Sequence, residues 1–144
     1  MPTAKDFFSE EQQQEIIRAI KRAEGITSGE IRVHLEEKSG GDPLKRAAKI
    51  FRKLKMHDTH EKNGVLIYLA IKEKQFAIIG DAGIHARVGD DFWDTIKTEM
   101  QNLFQHEKFV EGILFAIDQA GEQLKQYFPL GSSDKNELSD EISF

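Results

Sequence analysis

The sequence contains no cysteine, so disulfide bonds and thiolate ligands for zinc or iron–sulfur clusters are excluded. It has no apolar run close to the roughly 20 residues of a membrane-spanning helix, and no apolar stretch follows Met1 that would suit a signal peptide. The net charge of −5 lacks the basic excess that nucleic-acid binding requires. We therefore expect a cytoplasmic protein with neither a membrane nor a nucleic-acid partner.

The bulk composition is typical of a soluble globular protein, with 39% hydrophobic and 31% charged residues in a chain of 144. This length suits one domain with an ordinary hydrophobic core. We place that domain at residues 1–130 and expect a monomer. Residues 131–144 are acidic and are predicted to form a disordered tail.

Hydrophobic periodicity predicts the order helix, strand, helix, two hairpin strands, helix, helix. Ser9 and Asp42 are predicted N-caps of the first two helices. The predicted strands are residues 30–36, 65–71 and 75–79.

A crossover helix joins the first two predicted strands, so they are expected to be parallel, whereas the hairpin makes the third strand antiparallel to the second. The fold class that follows is α/β. We predict an αβα sandwich in which a small mixed β-sheet of three to four strands is covered by helices on both faces. The optional fourth strand is Ile84 to Val88.

Several carboxylates lie next to the hairpin strands in sequence. An antiparallel hairpin brings the end of the third strand beside the start of the second, so these acids are expected to share one end of the sheet. Carboxylate oxygens are ligands for hard cations, calcium taking roughly 6–8 oxygens and magnesium keeping more water. We predict a divalent metal site, with calcium preferred and magnesium as the alternative. Its candidate ligands are Asp81, Asp90, Asp91, Asp58 and Glu61.

Two other interpretations stay open for these acids. Asp90 and Asp91 also suit a helix N-terminus, and Asp81 suits a turn. The same acids could serve a metal-assisted phosphomonoesterase in which Lys62 or Arg87 holds phosphate. No nucleophile elbow or P-loop is present, so the catalytic residues are unassigned.

The second predicted helix is basic on its solvent side. A solvated charged face is the default interpretation of this side, and docking of an acidic protein partner is the alternative. Its cations are Lys45, Arg46, Lys49, Arg52, Lys53 and Lys55.

Three short motifs in order, Thr27–Val33, Asn63–Ile67 and Ile78–Ile84, resemble the TPM domain family, which includes thylakoid-lumen photosystem-repair proteins and many bacterial proteins. The resemblance extends over roughly residues 9–128. It implies an αβα sandwich around a mixed sheet, divalent-cation binding as in some members, and the acid phosphatase activity ascribed to plant members. The acidic loop of the family corresponds here to the segment from Asp81 to Asp91.

Many bacterial relatives carry a signal peptide and a membrane-anchoring helix, and this sequence shows neither, so it resembles a stand-alone TPM domain. The leading hypothesis is a metal-responsive or metal-stabilised binding or regulatory domain. The alternatives are an acid phosphatase-like phosphomonoesterase and an interaction module that uses the basic helix.

Overall fold

The computed structural model describes residues 3–130 and 141–144, and everything below refers to this part of the chain. Five α-helices and three β-strands follow one another, with a single 3₁₀ turn at Met56–Asp58. The elements are α1 (Ala4–Phe7), α2 (Glu10–Glu24), β1 (Glu30–Glu36), α3 (Pro43–Lys53), β2 (Gly64–Ala70), β3 (Gln75–Gly80), α4 (Ala82–Gln105) and α5 (Phe109–Tyr127).

The helix starts predicted at Ser9 and Asp42 are confirmed by their capping geometry. At the start of α2, Ser9 Oγ accepts from Gln12 N at 3.1 Å and Gln12 Oε1 accepts from Ser9 N at 2.9 Å, which is a capping box. At the start of α3, Asp42 accepts from Leu44 N at 2.9 Å, and Pro43 occupies the first helical position, where its missing N–H is not needed.

The sheet has the strand order β1-β2-β3. β1 pairs with β2 in parallel, with Val33 opposite Ile67, and β2 pairs with β3 antiparallel, with Ile67 opposite Ile78. The predicted mixed sheet is therefore confirmed, and both β1 and β3 are edge strands.

Helices cover both faces of this sheet. Side chains of successive strand residues point to opposite faces, so the sheet contributes to two cores. Ile31, Val33 and Ile67 belong to the core that contains residues of α2, α4 and α5, whereas Leu66 and Tyr68 belong to the core formed with α3. Every residue of β2 is buried, as its nearly continuous apolar sequence requires. The αβα sandwich is confirmed.

The optional fourth strand at Ile84–Val88 is wrong, because these residues lie in the first part of α4. Asp81 caps this part, and Ile84 is buried. A single inward-facing residue per turn suffices for a short helix, so the brief apolar pattern did not distinguish the two structures.

Residues 131–140 lie outside the described residues, so disorder there stays a prediction. The last four residues differ from that expectation, because Ile142 is only 7% exposed and belongs to the main core. Ser143 forms a parallel β-bridge with His34 in β1. Among the helices described, none is long and apolar enough to cross a membrane.

Candidate functional site

Asp81 lies at the junction of β3 and α4. Its N–H donates to Gly64 O at 2.9 Å, across the hairpin. Its Oδ1 accepts from Ala82 N at 2.7 Å as the N-cap of α4. Its Oδ2 is buried and accepts no hydrogen bond within the described part of the chain.

Asn63, which immediately precedes β2, is 1% exposed. Its side-chain Nδ2 donates to Ser28 Oγ at 3.3 Å, and its backbone N donates to Thr59 Oγ1 at 3.3 Å. Its Oδ1 is buried and, in residues 3–130 and 141–144, meets no donor. Asn63 and Asp81 flank the same hydrogen-bonded strand ends, so Asn63 Oδ1 and Asp81 Oδ2, which meet no donor in the part of the chain that the structure describes, lie at the same end of the sheet.

The segment before β2 is fixed against the start of α4 by backbone contacts. Lys62 O accepts from Gly83 N at 2.7 Å and from Ile84 N at 3.3 Å. A Cβ atom on Gly83 would lie 2.2 Å from Glu61 O, so only glycine allows this approach. The carbonyl oxygens of residues 61 and 62 therefore lie beside the helix start that Asp81 caps.

Glu30 adds a second carboxylate to this end of the sheet. It is 2% exposed, it stands opposite Gly64 in the register, and its N–H donates to Asn63 O at 3.4 Å. Neither Glu30 nor Asn63 was among the residues that sequence reasoning selected. Two sequence features could have pointed to these residues: Glu30 belongs to the alternating pattern of β1, and Asn63 immediately precedes β2.

The other predicted metal ligands are not brought together. Asp90 is 86% exposed at its side chain and pairs with His85 Nε2 at 3.3 Å, and Asp58 pairs with His57 at 3.3 Å. Asp91 and the Glu61 side chain are exposed. A helical segment, not a returning loop, separates Asp81 from Asp90 and Asp91. In the described residues, no three His, Asp or Glu side chains form a metal-holding group, so the five-residue ligand set stays a prediction.

The two cations considered for phosphate binding have other partners. Lys62 Nζ donates to the backbone carbonyl of His57, and the Arg87 guanidinium lies 6.0 Å from the centroid of the Tyr127 ring.

One cation of the basic helix α3, Arg46, is only partly exposed and pairs with the sheet. Arg46 donates to Glu36 in β1, whereas the other cations are exposed: Lys45, Lys49, Arg52, Lys53 and Lys55.

Sequence reasoning missed a polar network between β1, β2 and α3 that is centred on Glu36. Glu36 Oε1 accepts from Arg46 Nε and from Tyr68 OH, both at 2.6 Å. Glu36 Oε2 accepts from Arg46 Nη2 at 3.0 Å and lies 3.2 Å from His34 Nε2. The signal was the period-two spacing of Arg32, His34 and Glu36, which places all three on the α3 side of β1.

The charge state of this network follows from its contacts. Burial raises the pKa of Glu36, but the hydrogen bonds from Arg46, Tyr68 and His34 outweigh burial and lower that pKa to about 2. Burial and the bond to Glu36 raise the pKa of Tyr68. Burial lowers the pKa of His34, against the opposing effect of Glu36. At neutral pH the network therefore contains an ionised Glu36, a neutral His34 and a neutral Tyr68.

Comparisons with known proteins agree with the fold and its family. The sequence profile of the TPM domain matches residues 3–123. The NMR structure of the BA42 protein from the psychrophilic bacterium Bizionia argentinensis is 45% identical, covers 99% of both chains, and superposes with a TM-score of 0.89. No curated protein matches the sequence.

Two more distant structures share the fold. The N-terminal domain of a protein from P. gingivalis is 18% identical over 84% of this chain and 78% of its own, with a TM-score of 0.67. The N-terminal domain of the cg2496 protein from Corynebacterium glutamicum is also 18% identical, over 91% and 82% of the two chains, with a TM-score of 0.60. The family profile and the BA42 similarity both extend over most of the sequence, and this chain belongs to the TPM domain family.

Proposed function

We propose that this TPM domain binds a hard divalent cation, calcium in preference to magnesium, at the end of the sheet formed by Asp81 and Asn63. One observation carries the proposal: Asp81 Oδ2 and Asn63 Oδ1 are both buried without a hydrogen-bond donor in the described residues. Leaving a buried polar atom unsatisfied costs about 1–3 kcal/mol. A cation coordinated by these oxygens would remove that cost.

The donor set fits a hard cation because it consists of oxygens alone. Asp81 supplies negative charge and Asn63 supplies a neutral amide oxygen, while the buried carboxyl group of Glu30 lies at the same end of the sheet. With so few protein ligands, water would complete the coordination shell. We expect a weak affinity, roughly 10⁻⁴–10⁻³ M, as in calcium modules with few charged ligands.

The proposed site is smaller than the sequence predicted. It retains Asp81 and leaves out the other four predicted side chains because they are exposed: Asp90, Asp91, Asp58 and Glu61. Two of them, Asp90 and Asp58, also pair with histidines. Phosphomonoester hydrolysis gains no support from Lys62 or Arg87, which contact His57 and Tyr127.

Cation binding at this position would stabilise the fold. Lys62 and Gly83 hold the segment before β2 against the start of α4, so an ion bound there would join two segments that are distant in sequence. A ligand that binds only the folded state raises the free energy of unfolding by RT ln(1 + [L]/Kd). We infer a metal-stabilised binding module.

The substitution Asp81→Asn tests the assignment, because asparagine keeps the N-cap of α4 while the carboxylate charge is lost. We expect the variant to fold and to lose at least tenfold in calcium affinity, measured as the calcium-dependent rise in melting temperature. Asp91→Asn is the matched control, since it removes an exposed carboxylate from α4 and should leave the rise unchanged. The assignment would be contradicted if calcium raised the melting temperature of Asp81→Asn as much as that of the wild type, or if it no longer raised the melting temperature of Asp91→Asn.

The substitution Asn63→Asp tests the same site by adding a negative charge to it instead of removing one. It replaces the unpartnered amide oxygen by a carboxylate oxygen, so the attraction for a divalent cation increases. We expect a lower melting temperature in chelator, because a second buried charge is then uncompensated, and a larger rise on adding calcium. A variant whose stability is equally low with and without calcium would show that the ion does not contact residue 63.

A further inference from the structure

β1 is an edge strand, and three of its outward-facing backbone groups have partners from elsewhere in the chain. Ile31 N donates to Glu24 Oε2 at 2.7 Å. Further along, Leu35 N donates to Ser143 O at 2.9 Å, and Ser143 N donates to Val33 O at 2.8 Å. The C-terminal residues thus pair with β1 as a short parallel strand would.

Side chains on both faces of the C-terminal segment fit the edge of β1. Ile142 is 7% exposed and packs into the main core. The next residue points to the opposite face, as expected for extended chain, and its hydroxyl Ser143 Oγ contacts His34 Nδ1. The backbone of Glu141 is held as well, because Arg32 Nη2 donates to its carbonyl at 3.3 Å.

The tautomer of His34 determines which group can occupy the position of Ser143 Oγ. His34 Nε2 faces Glu36 Oε2 at 3.2 Å, and because Glu36 is ionised this nitrogen carries the proton. His34 Nδ1 is then an acceptor, which requires a donor such as a hydroxyl. A carboxylate has no proton to donate at neutral pH, so it would face a lone pair.

The groups around His34 support this assignment. Glu36 follows on the same strand, Tyr68 stacks on the imidazole from β2 with ring centroids 5.9 Å apart, and Arg46 and Lys53 are the cations of α3 that act on it. Burial holds the pKa of His34 below its usual value, so the ring stays neutral at physiological pH.

We propose that the outer edge of β1 is a binding site for an extended peptide with an apolar residue followed by a hydroxyl residue, whose resident ligand is the chain's own C-terminal segment Glu141–Phe144. The backbone of the peptide pairs with Val33 and Leu35, its apolar side chain enters the core, and its hydroxyl donates to His34 Nδ1. The same segment of a second copy has the same chemistry and fits the edge in trans.

A chain that ends at residue 140, labelled with ¹⁵N, tests this proposal with an acetylated peptide of residues 138–144. We expect the amide resonances of residues 32–35 to move on truncation and to return to their full-length positions at saturating peptide. A peptide with threonine at the position of Ser143 should bind within about twofold of the native peptide, and one with aspartate at least tenfold more weakly, because a hydroxyl donates to His34 Nδ1 and an ionised carboxylate has no proton to donate.

The full-length variant Ser143→Asp, with Ser143→Thr as its control, provides a second measurement that does not require the shortened chain to fold. We expect the Leu35 amide to exchange with solvent at least tenfold faster in Ser143→Asp and at an unchanged rate in Ser143→Thr. The Ile31 amide is the internal reference, because Glu24 holds it. Equal Leu35 exchange in all three proteins, or equal binding of the serine and aspartate peptides, would overturn the proposal.

Discussion

Two single residues determine the geometry at the Asp81 end of the sheet, one by its side chain and one by lacking a side chain. Asp81 joins the end of β3 to β2 through its backbone N–H, which donates to Gly64 O, and it caps α4 through its Oδ1. Gly83 allows the carbonyl of Glu61 to approach α4 more closely than any Cβ atom would permit. The proposed cation site depends on both, because together they fix the segment before β2.

Substituting Gly83 by alanine should destabilise the protein by about 2 kcal/mol or more, since the new Cβ atom would lie 2.2 Å from a backbone oxygen that cannot move aside cheaply. The matched control is Gly25→Ala, where the nearest atom to the new Cβ is Lys21 O at 3.3 Å. Urea unfolding of the two variants measures the difference. Equal stability would show that residues 61 and 62 do not pack on α4.

Glu36 gives the stability of the protein a defined acid dependence. Its pKa is lowered from 4.5 to about 2 in the folded state, so ionised Glu36 contributes stability that is present above pH 4.5 and lost as the pH falls toward 2. The contribution is on the order of 3 kcal/mol. His34, whose pKa is also lowered, adds a loss of stability as the pH falls below 6.5.

Replacing Tyr68 by phenylalanine removes the hydroxyl that donates to Glu36 Oε1 at 2.6 Å. A hydrogen bond to a charged group contributes about 1.5–3 kcal/mol, so we expect a loss of that size at pH 7. The loss should shrink as the pH falls toward 2, where Glu36 loses its charge. Urea unfolding at neutral pH and at a pH near 2 measures this, and a loss that does not change with pH would mean that the Tyr68 hydroxyl does not act through the charge of Glu36.

The elements with local signals were predictable, and those that depend on distant partners were not. Ser9 and Asp42 cap their helices with residues two or three positions away, which a sequence reveals. The contact between His34 and Ser143 spans 109 residues, and Ser143 alone gives no sign of it. In the candidate site, Asp81 was predicted because it is a carboxylate that follows a strand. Asn63 was not predicted, because its side chain is uncharged and only the folded environment, in the residues described, leaves its oxygen without a donor.

α4 was predicted to begin at Asp90 or Asp91, yet it begins at Ala82 and contains a break at Gly89. Gly89 has φ 77° and ψ 176°, a conformation that is almost confined to glycine. The signal at Asp90 was thus correctly read as the start of a helical segment. The preceding helical residues were missed because two glycines, Gly83 and Gly89, suggested a loop.

Gly89→Ala should cost about 1–3 kcal/mol through backbone strain alone, because no atom lies within 4 Å of a Cβ built there. Ala86→Gly in the same helix is the comparison, with an expected cost of up to about 1 kcal/mol from helix propensity. Thermal unfolding of both variants measures the costs. An alanine variant as stable as the wild type would show that α4 can straighten at residue 89.

The whole molecule combines an αβα sandwich with two polar ends of different chemistry. At the start of β2 and the end of β3, the buried oxygens Asn63 Oδ1 and Asp81 Oδ2 have no donor among the described residues. Toward the end of β1, Glu36, His34 and their partners satisfy one another. We therefore expect cation binding at the end of the sheet that contains Asp81 and Asn63, and peptide pairing along the edge of β1 beside His34.

The most direct measurement of the proposed function is a calcium titration of ¹⁵N-labelled protein against a chelator-treated reference, with magnesium in parallel. We expect saturable, localised shifts at the amides of residues 59–64 and 81–84, half complete at roughly 10⁻⁴–10⁻³ M calcium, and a smaller response to magnesium. The amides of His57, Asp90 and Asp91 should stay in place. No localised shift up to about 10 mM calcium, tenfold above the expected range, would contradict the assignment of Asp81 and Asn63.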